Sequence, residues 1–221
     1  MSYDTPIKPI LESDYFTARE YGQIYDVVVK VMQRGIDEAN DKYAYMLNLT
    51  NNGFMAIFED EKVRFPESVR NKVKQRMTDL CDEEVEDVGI MFARYTLDSA
   101  LPTLMPHCDR AMPKIAITAT IPLNQTKQWD FYVNDEKFEV GVNDAVWFSG
   151  NHHVHWRPDA NFAPEDYYDI FLVQSFPKND EPRLPESHYE ERDQEAGKYM
   201  QKYKDLLTES LLKVYDPDGC Q

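Results

Sequence analysis

The side chains able to do chemistry in this chain are few and concentrated. Of its five histidines, all but His188 fall between positions 107 and 155. His107-Cys108-Asp109 follows a bend marked by Pro106. On an extended chain, residues two apart point to the same side, so His107 and Asp109 face one pocket and Cys108 faces away. A third ligand is available from His152, His153 or His155. Two imidazoles and a carboxylate on one face of a metal leave about three coordination positions open, which suits an Fe(II) that must take a cosubstrate and dioxygen. Alone, the His-x-Asp triplet is a weak signal, because the same residues also form capped turns at strand ends.

Other chemistries find less support. There is no GxxxxGK[ST] or GxGxxG to cradle a nucleotide phosphate. Ser149, in Phe148-Ser149-Gly150, lacks the nucleophile-elbow context of a serine hydrolase. The acids Glu83-Glu84 and Glu86-Asp87 read as a solvated loop, and nothing singles out two carboxylates for glycoside hydrolysis. Cys81, Cys108 and Cys220 form no CxxC pair, which argues against a disulfide framework or a cysteine-rich zinc site. With 40 acidic against 24 basic residues, the chain carries a charge of −16. Such a surface repels phosphate backbones and anionic lipid, so nucleic acid and membranes are disfavoured as partners. No run approaches the ~20 apolar residues of a membrane span, and Met1-Ser2-Tyr3-Asp4 does not begin a basic region followed by an apolar run. The expectation is a cytoplasmic protein of a reducing compartment.

The elements that must position these residues change texture twice. From Asp14 to about Glu38, apolar residues at Tyr21, Ile24, Tyr25, Val28, Val31, Met32 and Ile36 keep a helical period, with Ser13 or Asp14 as the expected cap. Tyr43–Leu49 and Phe54–Phe58 flank Asn51-Asn52-Gly53, a hairpin signal. Pro66 opens a second helix with Val69, Val73, Met77 and Leu80 on one face. From Val88 the chain breaks into short β-rich runs, roughly 88–97, 114–121, 129–133, 137–142, 144–149, 152–157 and 167–176, which predict an antiparallel sandwich or barrel. After Pro185, Tyr199, Tyr203, Leu206, Leu207, Leu211 and Val214 share one helical face.

At 221 residues, 42% hydrophobic and 13% aromatic, the chain can bury a substantial core. We expect one domain over 1–221, with helices and a hairpin in 1–87, a β core in 88–177 and a closing helix in 186–215. The fold class is mainly β with flanking helices that need the sheet to cover their apolar faces. The Tyr and Leu stripe of the closing helix fits that sheet or a second copy, so a monomer and a homodimer both stay open.

The segment Met91–Phe176 resembles the 2-oxoglutarate- and Fe(II)-dependent oxygenases, nearest to the prolyl-hydroxylase-like branch. Arg94-Tyr95 matches the Arg-Tyr on the strand leading to the family's metal site, and His107-Cys108-Asp109 matches its His-x-Asp. Thr118 with Ile121-Pro122-Leu123-Asn124 resembles the strand that follows. Gly141–Gly150 looks like the Gly-Asp-Ala-type strand before the distal histidine, His155-Trp156-Arg157 resembles the ending of that motif, and Tyr168–Phe176 fits the last core strand. The resemblance implies a double-stranded β-helix, or jelly-roll and cupin-like, core. It also implies metal and catalytic roles for His107, Asp109 and His155, with His153 as the competitor for the third position because both would share a strand face.

The family fixes 2-oxoglutarate with a base a short way beyond the distal histidine. Here that window reads Pro164-Glu165-Asp166-Tyr167-Tyr168 and holds none. A dianion needs a fixed cation, ideally a guanidinium. The candidates are Arg157, then Lys114, then Arg94, with Tyr95 as a hydroxyl donor to the same carboxylate; the competing role for Arg157 is an ion pair with Asp159 or Asp166. Asp109 points to hydroxylation, since halogenating relatives lack that carboxylate. The implied reaction decarboxylates 2-oxoglutarate to succinate, with dioxygen, and hydroxylates a C–H bond of a peptide, protein, amino-acid or small-molecule substrate. Two other readings compete: a non-catalytic β-barrel binding or assembly module, and a cupin-like metalloenzyme that does not use 2-oxoglutarate.

Overall fold

The computed structural model describes residues 6–37, 54–58, 64–81, 85–97, 103–110, 117–177 and 184–207. Local signals set the ends of its helices. Thr17-Ala18-Arg19-Glu20 is a reciprocal capping box: the Glu20 N–H donates to Thr17 Oγ1 at 3.3 Å, while the Thr17 N–H and hydroxyl reach Glu20 Oε2 at 2.8 and 2.9 Å. Helix α1 (Ala18–Asp37) therefore starts later than the expected Asp14. Asp14 instead occupies a turn at φ 53°, a conformation its short polar side chain tolerates. Helix α2 (Glu67–Cys81) follows Pro66 as the sequence predicts and buries Val69, Val73, Met77 and Cys81. Burying side chains of this kind contributes ~1.5–3 kcal/mol for each of the larger ones, enough to hold a helix whose intrinsic stability is marginal.

Ten strands are described: β1 (Ile10–Glu12), β2 (Phe54–Phe58), β3 (Val85–Thr96), β4 (Leu104–His107), β5 (Thr118–Gln125), β6 (Phe131–Val133), β7 (Glu136–Phe138), β8 (Ala145–Phe148), β9 (His155–Arg157) and β10 (Tyr167–Pro177). They form a six-stranded sheet, β1-β8-β5-β10-β3-β2, and a four-stranded sheet, β4-β9-β6-β7, with antiparallel pairing throughout. This is the jelly-roll core that the resemblance implies, and it agrees with the antiparallel sandwich or barrel expected from the run of short strands. One face of the larger sheet packs on α1 and α2 through Ile90, Phe92, Ile121, Phe171 and Val173. Its other face meets the smaller sheet, where Phe131, Val133 and Phe138 pack on Val146 and Phe148.

Two differences from the sequence reading matter for the site. The expected strand over 152–157 begins only at His155, because the His152 and His153 N–H groups close a turn on the Ser149 carbonyl at 3.0 and 2.9 Å. The closing helix, α3 (Glu186–Lys202), ends well before 215 and passes into a single 3₁₀ turn, Lys204–Leu206. Tyr203 leaves helical geometry at φ −112° and packs on Trp156 with ring centroids 4.7 Å apart. Leu207 is then extended and buried. Leu211 and Val214 lie outside the described residues, as do the first arm and the turn of the expected hairpin; its second arm is β2, paired with β3. Strand β1 was not anticipated, because three residues carry no readable period. Among the described residues no helix is long and apolar enough to cross a membrane.

Candidate metal centre

Strands β4 and β9 pair so that His107 stands directly opposite His155. The two imidazoles lie 4.3 Å apart, centroid to centroid. Asp109, just past β4, is tied to the β8–β9 turn by its N–H, which donates to the Gly150 carbonyl at 2.9 Å. The ligating atoms of His107, Asp109 and His155 all lie within 4.8 Å of one another.

Backbone carbonyls fix how each imidazole presents itself. His107 Nδ1 lies 2.7 Å from the Met105 carbonyl and His155 Nδ1 lies 3.1 Å from the His153 carbonyl. A carbonyl oxygen only accepts, so both Nδ1 atoms carry the proton and both Nε2 atoms present a lone pair. On the carboxylate, Thr118 Oγ1–H donates to Asp109 Oδ2 at 2.7 Å, which leaves Oδ1 for the shared point. His155 Nε2 faces that Oδ1 at 3.6 Å. A lone pair facing a carboxylate oxygen is repulsive unless a cation lies between them, so the donor set fits a divalent metal. These outer hydrogen bonds are the kind that orient ligands in metal sites.

Protonation states agree with that fit. Burial, then the neighbouring His155, push His107 down to about 4, so it is neutral at pH 7. Burial alone would raise Asp109, but positive charge at the point it shares with His155 and His107, together with the Thr118 hydroxyl, outweighs burial and holds the carboxyl below its usual range, the direction in which a cation between these atoms would also act.

A cavity of about 240 Å³ lies between the two sheets, and the triad forms one end of it. Arg157 forms the other. It is two residues along β9 from His155, shares its face and is 1% exposed. Its guanidinium donates to the Trp129 carbonyl at 2.7 Å and to Thr120 Oγ1 at 3.5 Å, and lies over the Tyr168 ring at 4.6 Å. Among the described residues it forms no ion pair. Asp166, one of the competing partners, is engaged by the Thr126 hydroxyl and the Ala163 N–H. Tyr95 also lines the cavity, beside Arg157 and edge-on to Trp129 at 4.9 Å.

Other candidates are placed elsewhere. Arg94 projects from the opposite face of β3 to Tyr95, away from the cavity, and forms a two-point pair with Asp169 at 2.6 and 2.7 Å. The strict alternation of a strand decides this. Lys114 lies outside the described residues. His153 contributes its carbonyl to His155, while its own ring is half-buried off the cavity and pushed down to about 4 by burial. His188 packs edge-on against His152 at 4.8 Å and bonds the Asn151 carbonyl at 2.8 Å, so α3 braces the turn before His155 from outside. Trp147 is core. Two supporting residues carried too little sequence signal to be assigned a role. Thr120 holds Arg157, and Gly150 leaves room for Asp109, since a Cβ there would meet both Asp109 and Thr118.

No protein-family model matches the chain, and no curated protein matches its sequence. Solved structures do match in fold. A prolyl-4-hydroxylase from Pseudomonas putida superposes with a TM-score of 0.54 at 11% identity, over 78% of this chain and 94% of that one. A prolyl hydroxylase from Trichoplax adhaerens, in complex with a hypoxia inducible factor oxygen degradation domain peptide fragment, gives 0.55 at 13%, over 78% and 84%. A prolyl 4-hydroxylase from Phytophthora capsici gives 0.54 at 12%, over 96% and 84%. The chain thus has the fold of the prolyl-hydroxylase-like oxygenases, the group its His-x-Asp and distal-histidine segments resemble.

Proposed function

We propose that this protein is an Fe(II)- and 2-oxoglutarate-dependent dioxygenase that hydroxylates a C–H bond, with His107, Asp109 and His155 as the metal ligands. The observation that carries the reading is the sharing of one strand by His155 and Arg157, a guanidinium with no counter-ion among the described residues. A buried guanidinium without a counter-ion is costly. It is retained here about two strand residues, ~6.6 Å, from a metal ligand. That spacing suits a five-carbon dicarboxylate with its 2-oxo acid end at the metal and its far carboxylate on Arg157. The metal and its 2-oxo acid would supply oxidative decarboxylation and the activation of dioxygen for C–H hydroxylation.

The chain's own residues have simpler tasks. Nδ1 bonds to the Met105 and His153 carbonyls hold both imidazoles in the ligating tautomer. Thr118 keeps one carboxylate oxygen occupied so that Asp109 binds through the other. Asp109 also fills the position that a halide would need, which favours hydroxylation. Arg157, with Tyr95 beside it, receives the distal carboxylate. Apolar walls from Leu104, Phe131, Phe148 and Ile170 exclude water from the column between. The substrate would be a peptide, an amino acid or a small molecule; that one fold neighbour is in complex with a peptide supports the first of these.

A second reading, a metalloenzyme that does not use 2-oxoglutarate, draws on β10, whose cavity face offers Ile170, Leu172 and Gln174 but no base. Succinate separates the two. Purified protein with Fe(II), ascorbate and 2-oxoglutarate should release succinate and carbon dioxide in equal amounts even without its substrate, slowly. Release that is absent, or unchanged in Asp109→Ala, would favour the second reading.

A further inference from the structure

The polar side chains lining the cavity have partners or assigned tasks, with one exception. The three ligands face the metal point, Thr118 is spent on Asp109, Thr120 on Arg157, and Tyr95 is partnered. Gln174 is left. Its half-buried carboxamide lines the cavity, and among the described residues no partner for it is recorded. Its place is set by register: on β10 it stands between Thr118 of β5 and Gly89 of β3. Side chains directly opposite on antiparallel strands have Cβ atoms about 5 Å apart. Gln174 therefore sits one side chain from the hydroxyl that holds Asp109, at the metal end of the column, while Arg157 donates to Thr120, opposite the next residue along the same face, Leu172. On its other side Gly89 contributes no side chain, so the wall is low there. Met91 and Leu172, the next pair along the same face, are apolar.

From this we infer that Gln174 is the substrate-positioning residue, and that it takes an uncharged group with both a donor and an acceptor, such as an amide, with an aliphatic carbon against Met91 and Leu172. The inference rests on the function proposed above. A carboxamide offers one acceptor and two donors, which matches an amide on both sides. Charge points the same way: a divalent metal and Arg157 together balance Asp109 and a dianionic cosubstrate, leaving no net charge to attract an ionic substrate group.

The test uses the full chain loaded with Mn(II) and 2-oxoglutarate, and reads by NMR the paramagnetic broadening of 4-methylpentanoic acid N-methylamide and of its methyl ester, which share one aliphatic chain and differ only in the amide N–H. Wild type should broaden the methylamide and bind the ester about tenfold more weakly, because the ester lacks the donor. Gln174→Met, similar in length and volume, should lose the preference for the amide while its thermal midpoint and its anaerobic Fe(II)–2-oxoglutarate absorption band stay those of wild type. Equal binding of amide and ester by wild type, no broadening by wild type while the band forms, or an amide preference kept in Gln174→Met would each overturn the inference. A missing band in both proteins would instead overturn the proposed function, and this inference with it.

Discussion

Gly150→Ala should perturb the proposed metal centre without replacing any of its proposed ligands. An added Cβ would lie well inside 3.0 Å of both Asp109 Oδ2 and Thr118 Oγ1, and 2.9 Å from Asp109 Cγ. Neither oxygen can retreat cheaply. Thr118 holds Oδ2 at 2.7 Å, and the Asp109 N–H is fixed at 2.9 Å to the carbonyl of Gly150 itself. Relief requires the carboxylate to swing away, which breaks a charged hydrogen bond worth ~1.5–3 kcal/mol and takes Oδ1 from the shared point. Losing an outer-shell bond alone lowers metal affinity about 10–100-fold. With the ligand oxygen displaced as well, Fe(II) affinity should fall by at least the upper end of that range, about 100-fold. Thr118→Val, which removes the bond and little else, should fall at the lower end, about tenfold.

The assay is anaerobic competition for Fe(II) against a chromogenic chelator, with the thermal midpoint of each metal-free protein measured alongside. Gly197→Ala on α3 is the control, since a Cβ there meets nothing within 4 Å. It should keep wild-type affinity and stabilise the helix by up to ~1 kcal/mol. Wild-type Fe(II) affinity in Gly150→Ala, at an unchanged midpoint, would refute the placement of Asp109 as a ligand.

Other consequences are open to simpler measurements. Arg157→Met should raise the 2-oxoglutarate requirement tenfold or more, from the ~1.5–3 kcal/mol of a charged hydrogen bond, while metal-free stability changes little because an unpaired buried charge is removed; an unchanged requirement would exclude Arg157 as the anchor. Burial raises Asp159 to about 6, above its unfolded value of 3.8, so the folded state favours the protonated form and that contribution is lost as pH rises through about 6. Asp159→Asn should therefore raise the thermal midpoint at pH 8 and leave it unchanged at pH 3.5, with equal midpoints at both pH values counting against the account. Cys108, between the proposed ligands His107 and Asp109, is pushed up to about 12 by burial and should resist alkylation by iodoacetamide in the folded protein, read by mass spectrometry. Saturation with Fe(II) at a hundred times its Kd should add about 2.7 kcal/mol of stability, and none in Asp109→Ala.

The sequence made His107 and Asp109 legible because alternation along a strand needs no tertiary knowledge. Alternation alone did not separate His153 from His155, since both share a face if the strand begins at 152; only the match of His155 to the position before Trp156-Arg157 favoured it. The turn that closes on Ser149 separates them, and turn closure depends on where β8 ends. Arg94 shows the converse: a motif match brings a residue into the candidate set, but the strand's alternation sends it to the helix-covered face. Arg157 was legible from its spacing to His155, whereas its lack of a counter-ion is a tertiary fact. Gly150 and Gln174 carried no local signal, because what matters at each is a neighbour from another strand. The helix expected to 215 ends at Lys202 because the apolar period that continues past Tyr203 is not helical there: Tyr203 leaves helical geometry and packs on Trp156.

The most direct test of the central claim is an anaerobic optical titration of the purified protein with Fe(II), then 2-oxoglutarate. The account predicts the weak visible charge-transfer band of a chelated 2-oxo acid, absent in Asp109→Ala and reached only at tenfold or higher 2-oxoglutarate in Arg157→Met. Tight Fe(II) binding with no band at saturating 2-oxoglutarate, or a band that persists in Asp109→Ala, would contradict it.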